Sequence, residues 1–335
     1  MKSLVLAFTL LSTAFTASAG VKEREAEIAF RINLNPPSDA KDVRLWIPYP
    51  VSDKNQTIED EKFNGNYTNA AAYKEKEYGN TALYAEWSGP MNERVLIYSY
   101  KVKRKEVVMK EFPESEPPLS KKELKEYLRA TSLGPVTGKV KETAERITKG
   151  KKTVLEKSRA IYDWIVKNMY RDPNIKGCGL GEVERLIEAL GGKCGDIHSV
   201  YVALARSVGV PAREVFGIRL PKGKEGEMTK SQHCWAEFYL PGYGWVPVDP
   251  ADVRKAMLEK GCKEPEEIKD IVEYYFGAVD ESRIAYGMGR DLTLNPRQKG
   301  GKLNYFMYPY AEADGKVLDD LFGFNLGYTI SFKER

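Results

Sequence analysis

The 335-residue chain holds two histidines, His198 and His233, and four cysteines, Cys178, Cys194, Cys234 and Cys262. These six side chains supply its neutral-pH bases and its soft nucleophiles. Two chemistries are open to them: a thiolate activated by an imidazole, or a zinc centre. Zinc would draw on Cys194, His198, His233 and Cys234. Neighbours on a strand point to opposite faces, so His233 and Cys234 make a poor tetrahedral pair. No EF-hand-like loop occurs for calcium. The reading expects no metal and no cofactor.

Cys194 follows Gly191 and Gly192 and opens a helix whose apolar positions are Ile197, Val200, Tyr201, Leu204 and Val208. Steps of three and four predict one buried face. Gly209 and Pro211 end the helix. First-turn N–H groups lack helical partners and carry partial positive charge, which favours a thiolate and can hold an oxyanion. Asp196, in the same turn, works partly against that thiolate. A buried structural cysteine or half of a disulfide fits this segment equally well.

A thiolate needs a base. His198 lies four residues after Cys194 on the same helix and reads as a partly exposed helical residue. His233 opens "HCWAEFYLPGYGWVPVDP", a hairpin pattern that ends in Asp249-Pro250. Side chains alternate on a strand, so His233 and Asp249 share a face only if the loop has an odd number of residues. A loop of Leu240-Pro241-Gly242 sets the pair directly opposite. A loop of Pro241-Gly242-Tyr243 sets it diagonal, still within reach. Asp249 would then hold the imidazole in one tautomer. Asp252 is a second choice for that role, and a plain turn residue is the alternative for Asp249.

Other elements must position these groups. From Glu23 to about Val108 the pattern is strand-like: Ile28, Phe30, Ile32 and Leu34 alternate with polar residues, and "DVRLWIPYP" and "RVLIYSYKVKR" do the same. The basic "YKVKRKEVVMK" reads as a strand end with a solvated face. A proline-rich linker gives way to Ser120, a helix cap with Glu123 at the capping-box position. "TVLEKSRAIYDWIVKNMY" and "GEVERLIEALGG" read as helices, the second stopped by Gly191 and Gly192. The Tyr- and Gly-rich tail from about Asp270 is expected to pack on the middle domain.

At the start, "MKSLVLAFTLLSTAFTASAG" reads as a secretory signal cut after Ala19. The chain is therefore expected in a secreted or periplasmic setting, with no transmembrane segment left after cleavage. In an oxidising compartment one disulfide is open to the cysteines left over from a working thiol, Cys178 with Cys262 being one pairing. Lys+Arg 52 against Asp+Glu 48 is nearly balanced and gives nucleic acid no footing.

"GGKCGD…VALARSVGVPAR" followed by "HCWAEFYLPGYGWVPVDP" resembles the transglutaminase-like superfamily, a papain-related cysteine fold. The likeness rests on a cysteine opening a helix that closes in Gly-Val-Pro-Ala-Arg, a His-x-Trp strand and an Asp-Pro. It is strongest over 150–252 and looser at "VRLWIPYPVSDKNQ" and in the tail.

The resemblance implies an α+β fold, with a cysteine-bearing helix packed on an antiparallel sheet and an antiparallel β-sandwich before it. The expected layout is 1–19 signal peptide, 20–112 β-sandwich, 113–149 helical linker, 150–256 catalytic domain and 257–335 C-terminal extension. It also implies Cys194 as nucleophile, His233 as base and Asp249 as orienting acid, with Tyr170 as candidate oxyanion donor beside the Cys194 N–H. The thiolate would attack an amide and leave a thioester for water or an amine. Bacterial members are commonly regarded as proteases, which favours a cysteine protease or amidase on protein, peptide or peptidoglycan-stem substrates over a cross-linking acyltransferase. The other reading is a catalytically silent module binding protein or glycan, and the intact Cys, His and Asp weigh against it.

Overall fold

The structure is a computed structural model that describes residues 21–120, 122 and 124–335. The signal-like stretch 1–19 and Glu123 fall outside the described residues. Strands β1 (Glu23–Leu34), β2 (Asp42–Tyr49), β3 (Gln56–Gly65), β4 (Asn69–Lys74), β5 (Thr81–Ser88) and β6 (Arg94–Lys105) open the fold. Along β1 the buried side chains are Ala26, Ile28, Phe30, Ile32 and Leu34, the alternation read from the sequence. These strands divide between two antiparallel sheets whose inner faces share one core.

After a short strand β7 (Val107–Val108), the linker is mostly irregular. The helix expected from Ser120 is a single 3-10 turn at Lys125–Tyr127, and the first α-helix, α1 (Gly138–Ile147), begins much later. Too few apolar residues stand at helical spacing in the stretch between to bury one face. In α2 (Val154–Asn168) the capping box is Thr153 with Glu156: the Glu156 N–H donates to Thr153 Oγ1, and the Thr153 N–H donates to Glu156 Oε2, both at 3.1 Å.

Next come β8 (Tyr170–Arg171), α3 (Val183–Ala189), β9 (Gly191–Gly192) and α4 (Cys194–Ser207). Helix α3 stops one residue before the expected glycines, at Leu190, which takes the left-handed conformation itself. The glycines do something else: they form β9, paired in parallel with β8. Helix α4 has no exposed face, since every residue from Cys194 to Arg206 is buried. The single-face expectation fails because α1, α2 and α3 pack around it while β10 (Ala212–Arg219) and β12 (Gln232–Leu240) cover the rest. Val202, Ala203 and Ala205 extend the apolar surface beyond the predicted face, and the polar Asp196, His198, Ser199 and Arg206 are buried with them.

β11 (Glu225–Glu227) lies between β10 and β12 in sequence. With β13 (Gly244–Val248) and β15 (Arg283–Met288), strands β10 and β12 form the antiparallel sheet β13-β12-β10-β15. Helices α5 (Pro250–Lys260) and α6 (Lys269–Tyr274) and a short β14 (Ala278–Val279) connect β13 to β15.

The tail packs on the middle domain as expected, Tyr305 stacking on Phe216 and Arg290 pairing with Glu214, but it also reaches the sandwich. Only β15 joins the middle sheet. β16 (Tyr310–Ala313) pairs with β2 and with β17 (Lys316–Val317), and β18 (Tyr328–Glu334) inserts between β1 and β11. The chain's last strand thus completes the sandwich that its first strand began. Tyr328, Ile330 and Phe332 alternate inward and cover an edge of β1 that would otherwise be unpaired. The fold is α+β, with a strand-rich N-terminal unit before the helix-and-sheet core. No helix among the described residues is long and apolar enough to cross a membrane.

Candidate active site

Cys194 is the first residue of α4 and 2% exposed. The two glycines before it are required by close packing. A Cβ on Gly191 would lie 2.5 Å from the Tyr170 ring, and one on Gly192 2.5 Å from the Asp196 Cβ. Asp196 turns back from the helix, its carboxylate accepting from the Gly181 N–H at 2.9 Å and the Lys193 N–H at 3.1 Å. The Gly195 N–H is taken by the Cys178 carbonyl at 2.8 Å.

The hairpin pairs Leu240 with Gly244 and Ala236 with Val248, so the loop is Pro241-Gly242-Tyr243. This is the odd-numbered loop that sets His233 and Asp249 diagonal, and their side chains meet: His233 Nε2 lies 3.0 Å from Asp249 Oδ2. Asp249 is fully buried and caps α5, its Oδ1 accepting the Asp252 N–H at 2.8 Å. A carboxylate only accepts, so the His233 proton sits on Nε2 and leaves Nδ1 as the basic nitrogen. Arg219 Nη2, 3.4 Å from the same Nε2, can then act only through its charge. The imidazole helps hold the Cys194 thiol down.

Three features went unread in the sequence. His198, expected to be partly exposed, is fully buried, with Nε2 3.1 Å from Asp249 Oδ1 and Nδ1 3.4 Å from the Cys234 sulfur. Arg283, fully buried on β15, pairs with Asp249, with Asp252 at 2.8 Å and with Asp280 at 3.0 Å. Arg290 pairs with Glu214 at 2.8 Å and donates to the Gly195 carbonyl at 3.2 Å, bracing the start of α4. Apart from the Arg283–Asp280 pair, these contacts join residues more than thirty positions apart, which local spacing does not signal.

All four cysteines are free thiols, so neither Cys194 nor the Cys178–Cys262 pairing is in a disulfide. The neighbouring thiols, Cys178 first and Cys234 second, hold Cys194 well below the ordinary cysteine range; His233 adds to this and burial opposes it. Cys178 Sγ also lies 3.3 Å from the Gln232 carbonyl, a competing acceptor for its proton. The Cys178 thiol is pushed up chiefly by its neighbour Cys194, and that of Cys234 chiefly by burial. Burial works to raise Asp249, but Arg283 and the two imidazoles outweigh it and keep the carboxyl well below its usual range.

Tyr170 is about half exposed on β8, its ring over Gly191. His233, Asp252, Arg171 and Arg219 border a cleft of about 860 Å³. His233, Asp249 and Asp252 present donor atoms within 4.8 Å of one another, as a metal set would. Arg219 and Arg283 already occupy those carboxylates, placing two cations where an ion would sit. Such a buried constellation of thiol, imidazole and carboxylate can generate a nucleophile and pass its proton on.

The chain is similar to known proteins in sequence and in fold. A protein of Haemophilus influenzae with no assigned role is 38% identical over 301 residues, covering 82% of each chain. The uncharacterised YebA of Bacillus subtilis is 31% identical over 126 residues, 33% of this chain and 17% of its own length. The crystal structure of a candidate cysteine protease from Cytophaga hutchinsonii superposes with a TM-score of 0.56 over 93% of this chain and 98% of its own, at 15% identity, a likeness of fold. The family model of the transglutaminase-like superfamily matches residues 141–250, the stretch that holds Cys194, His233 and Asp249. The chain belongs to the transglutaminase-like superfamily.

Proposed function

We propose that the protein is a thiol enzyme that opens amide bonds through a Cys194 thioester, with His233 as base and acid and Asp249 as the group that orients it. The observation that carries this reading is the 3.0 Å contact between His233 Nε2 and the buried Asp249, together with a buried Cys194 whose thiol the imidazole helps hold down. Cys194 gives its proton to His233 Nδ1 and attacks the amide carbon. His233 returns the proton to the leaving amine, and water drawn to the same nitrogen resolves the thioester. The free Cys194 N–H is one oxyanion donor, and Tyr170 is proposed as the second. Hydrolysis of peptides or cell-wall stem peptides outside the cytoplasm is the preferred reading. It is supported by the secretory pattern at the N-terminus and by a cleft at His233 large enough for an extended peptide.

Alkylation by iodoacetamide at neutral pH tests the site. Cys194 should react fastest of the four thiols, and His233→Ala should slow it. Equal, slow labelling in both proteins refutes the thiol-enzyme reading. A library of peptides and stem peptides, with Cys194→Ser as control, then identifies the amide.

A further inference from the structure

The basic end of β6, expected to face solvent, is split by the pleat. Lys101 and Lys103 lie toward the surface, whereas Arg104 turns inward with Tyr100 and Val102 and is 2% exposed. The other buried arginines are answered. Arg283 and Arg290 have carboxylates, and Arg94 and Arg206 have backbone carbonyls. Among the described residues the Arg104 side chain has neither an ion pair nor a hydrogen bond, and its Nε, like that of Arg94, is buried without a partner. Its guanidinium stands 6.0 Å from the centre of the Trp235 ring.

Nearby groups are committed elsewhere. Arg24, across the strand pair, is held by Glu334 and the carbonyls of Leu220 and Pro221. Gln56, on the other side, bonds to Val51 and Ala285. Glu237 is held by Arg213 and by the Trp235 indole. Asp53 accepts from the N–H groups of Asn55 and Gln56. Burial pulls the Arg104 guanidinium below its ordinary range, with Asp53 opposing from a distance. A buried cation without a partner is costly and calls for an anion.

The guanidinium borders a cavity of about 340 Å³ between the sandwich and the middle sheet. None of its lining residues belongs to the cleft at His233. Val215, Trp235, Trp245 and Val279 supply apolar wall. Asn80, Lys54 and Arg213 also line it, as do Asp53 and Glu237, whose carboxylates already accept from the Asn55 and Gln56 N–H groups and from Arg213 and the Trp235 indole. The volume suits a small ligand.

We propose that this cavity binds a small organic carboxylate with an apolar or aromatic body, the carboxylate on Arg104 and the body against Trp235 and its apolar neighbours. A guanidinium fork matches a carboxylate in two parallel hydrogen bonds. A neutral or cationic ligand would leave the charge unanswered. The inference does not depend on what Cys194 does.

The probe is 3-phenylpropionate, titrated into the full-chain protein and followed by tryptophan fluorescence and calorimetry. 3-Phenylpropionamide serves as the uncharged twin and acetate as the twin without a body. The acid should bind saturably, one per chain, and each twin at least ~10-fold more weakly, because both the charged hydrogen bonds and the apolar body contribute. Arg104→Gln should lose the same factor while Cys194 alkylation is unchanged. Without ligand this variant should melt no lower than the wild type, since it removes an unpaired charge. Equal binding of acid and amide, no saturable binding of the acid, or full binding by Arg104→Gln each overturn the proposal. If Arg104→Gln does not fold, the acid and amide titrations of the wild type still decide.

Discussion

Asp249→Asn isolates the wiring of the site. The carboxylate takes four donors: His198 Nε2 at 3.1 Å and the Asp252 N–H at 2.8 Å on Oδ1, and His233 Nε2 at 3.0 Å and Arg283 Nη1 on Oδ2. Asparagine keeps the shape but has one acceptor oxygen, and its amide nitrogen only donates. Whichever way the amide turns, two buried donors face an N–H. Each orphaned buried donor costs ~1–3 kcal/mol, and breaking a buried pair costs ~3–5 kcal/mol. The loss in unfolding free energy should therefore be about 3–5 kcal/mol, measured by denaturant titration at pH 7. Cys194 alkylation should slow at least ~10-fold as His233 loses its anchor.

The loss should also depend on pH. Asp249 is held well below the ordinary carboxylate value of ~4, so its stabilisation is fully present above about pH 4 and lost as pH falls through the folded value. Asparagine does not titrate, so the stability gap should narrow below pH 4. A variant within ~1 kcal/mol of wild type that alkylates at the wild-type rate would refute the assignment.

Cys178→Ala removes the thiol that does most to hold Cys194 down, so the midpoint of alkylation against pH should move upward. An unmoved midpoint would mean that the Cys178 proton goes to the Gln232 carbonyl, 3.3 Å away. Gly192→Ala drives a Cβ to 2.5 Å from Asp196 and should cost about 1–3 kcal/mol in denaturant titrations; a neutral effect would show that the loop can yield. Ending the chain before Tyr328 strips three buried side chains at ~1.5–3 kcal/mol each, comparable with the whole stability of a domain. The truncated protein should lose its cooperative melt, and a preserved melt would show that β1 does not need this partner.

What could be read from the sequence was whatever is local. The alternation in β1 and the register of the hairpin follow from a period of two, and Cys194 follows from the helix behind it. Parity restricted His233 and Asp249 to odd loops without choosing between two of them. His198 was misread because its own helix suggests one wet face; other helices supply that burial from distant sequence. Arg283 and Arg290 had no signal, since a buried arginine looks like a surface one until its carboxylates arrive. The β18 pattern, Tyr328, Ile330 and Phe332, was visible. Its place beside β1 was not, because strand alternation does not name a partner.

Three carboxylates, Asp249, Asp252 and Asp280, meet two guanidiniums, Arg219 and Arg283, around one end of the cleft. One negative charge is left over, and the nearest proton-carrying ring to it is His233, 3.0 Å from Asp249 and 3.7 Å from Asp252. In the proposed mechanism, moving a proton from Cys194 to His233 neutralises that surplus and leaves the thiolate among Cys178, Cys234 and the imidazolium, which all hold it. A simple pair of thiol and imidazole in a buried site would have to separate charge against low polarity. Here the counter-charge is built in beforehand, one layer behind the ring. On that proposal Arg283 is a positioning residue, whose loss would unbalance the cluster through Asp249, Asp252 and Asp280.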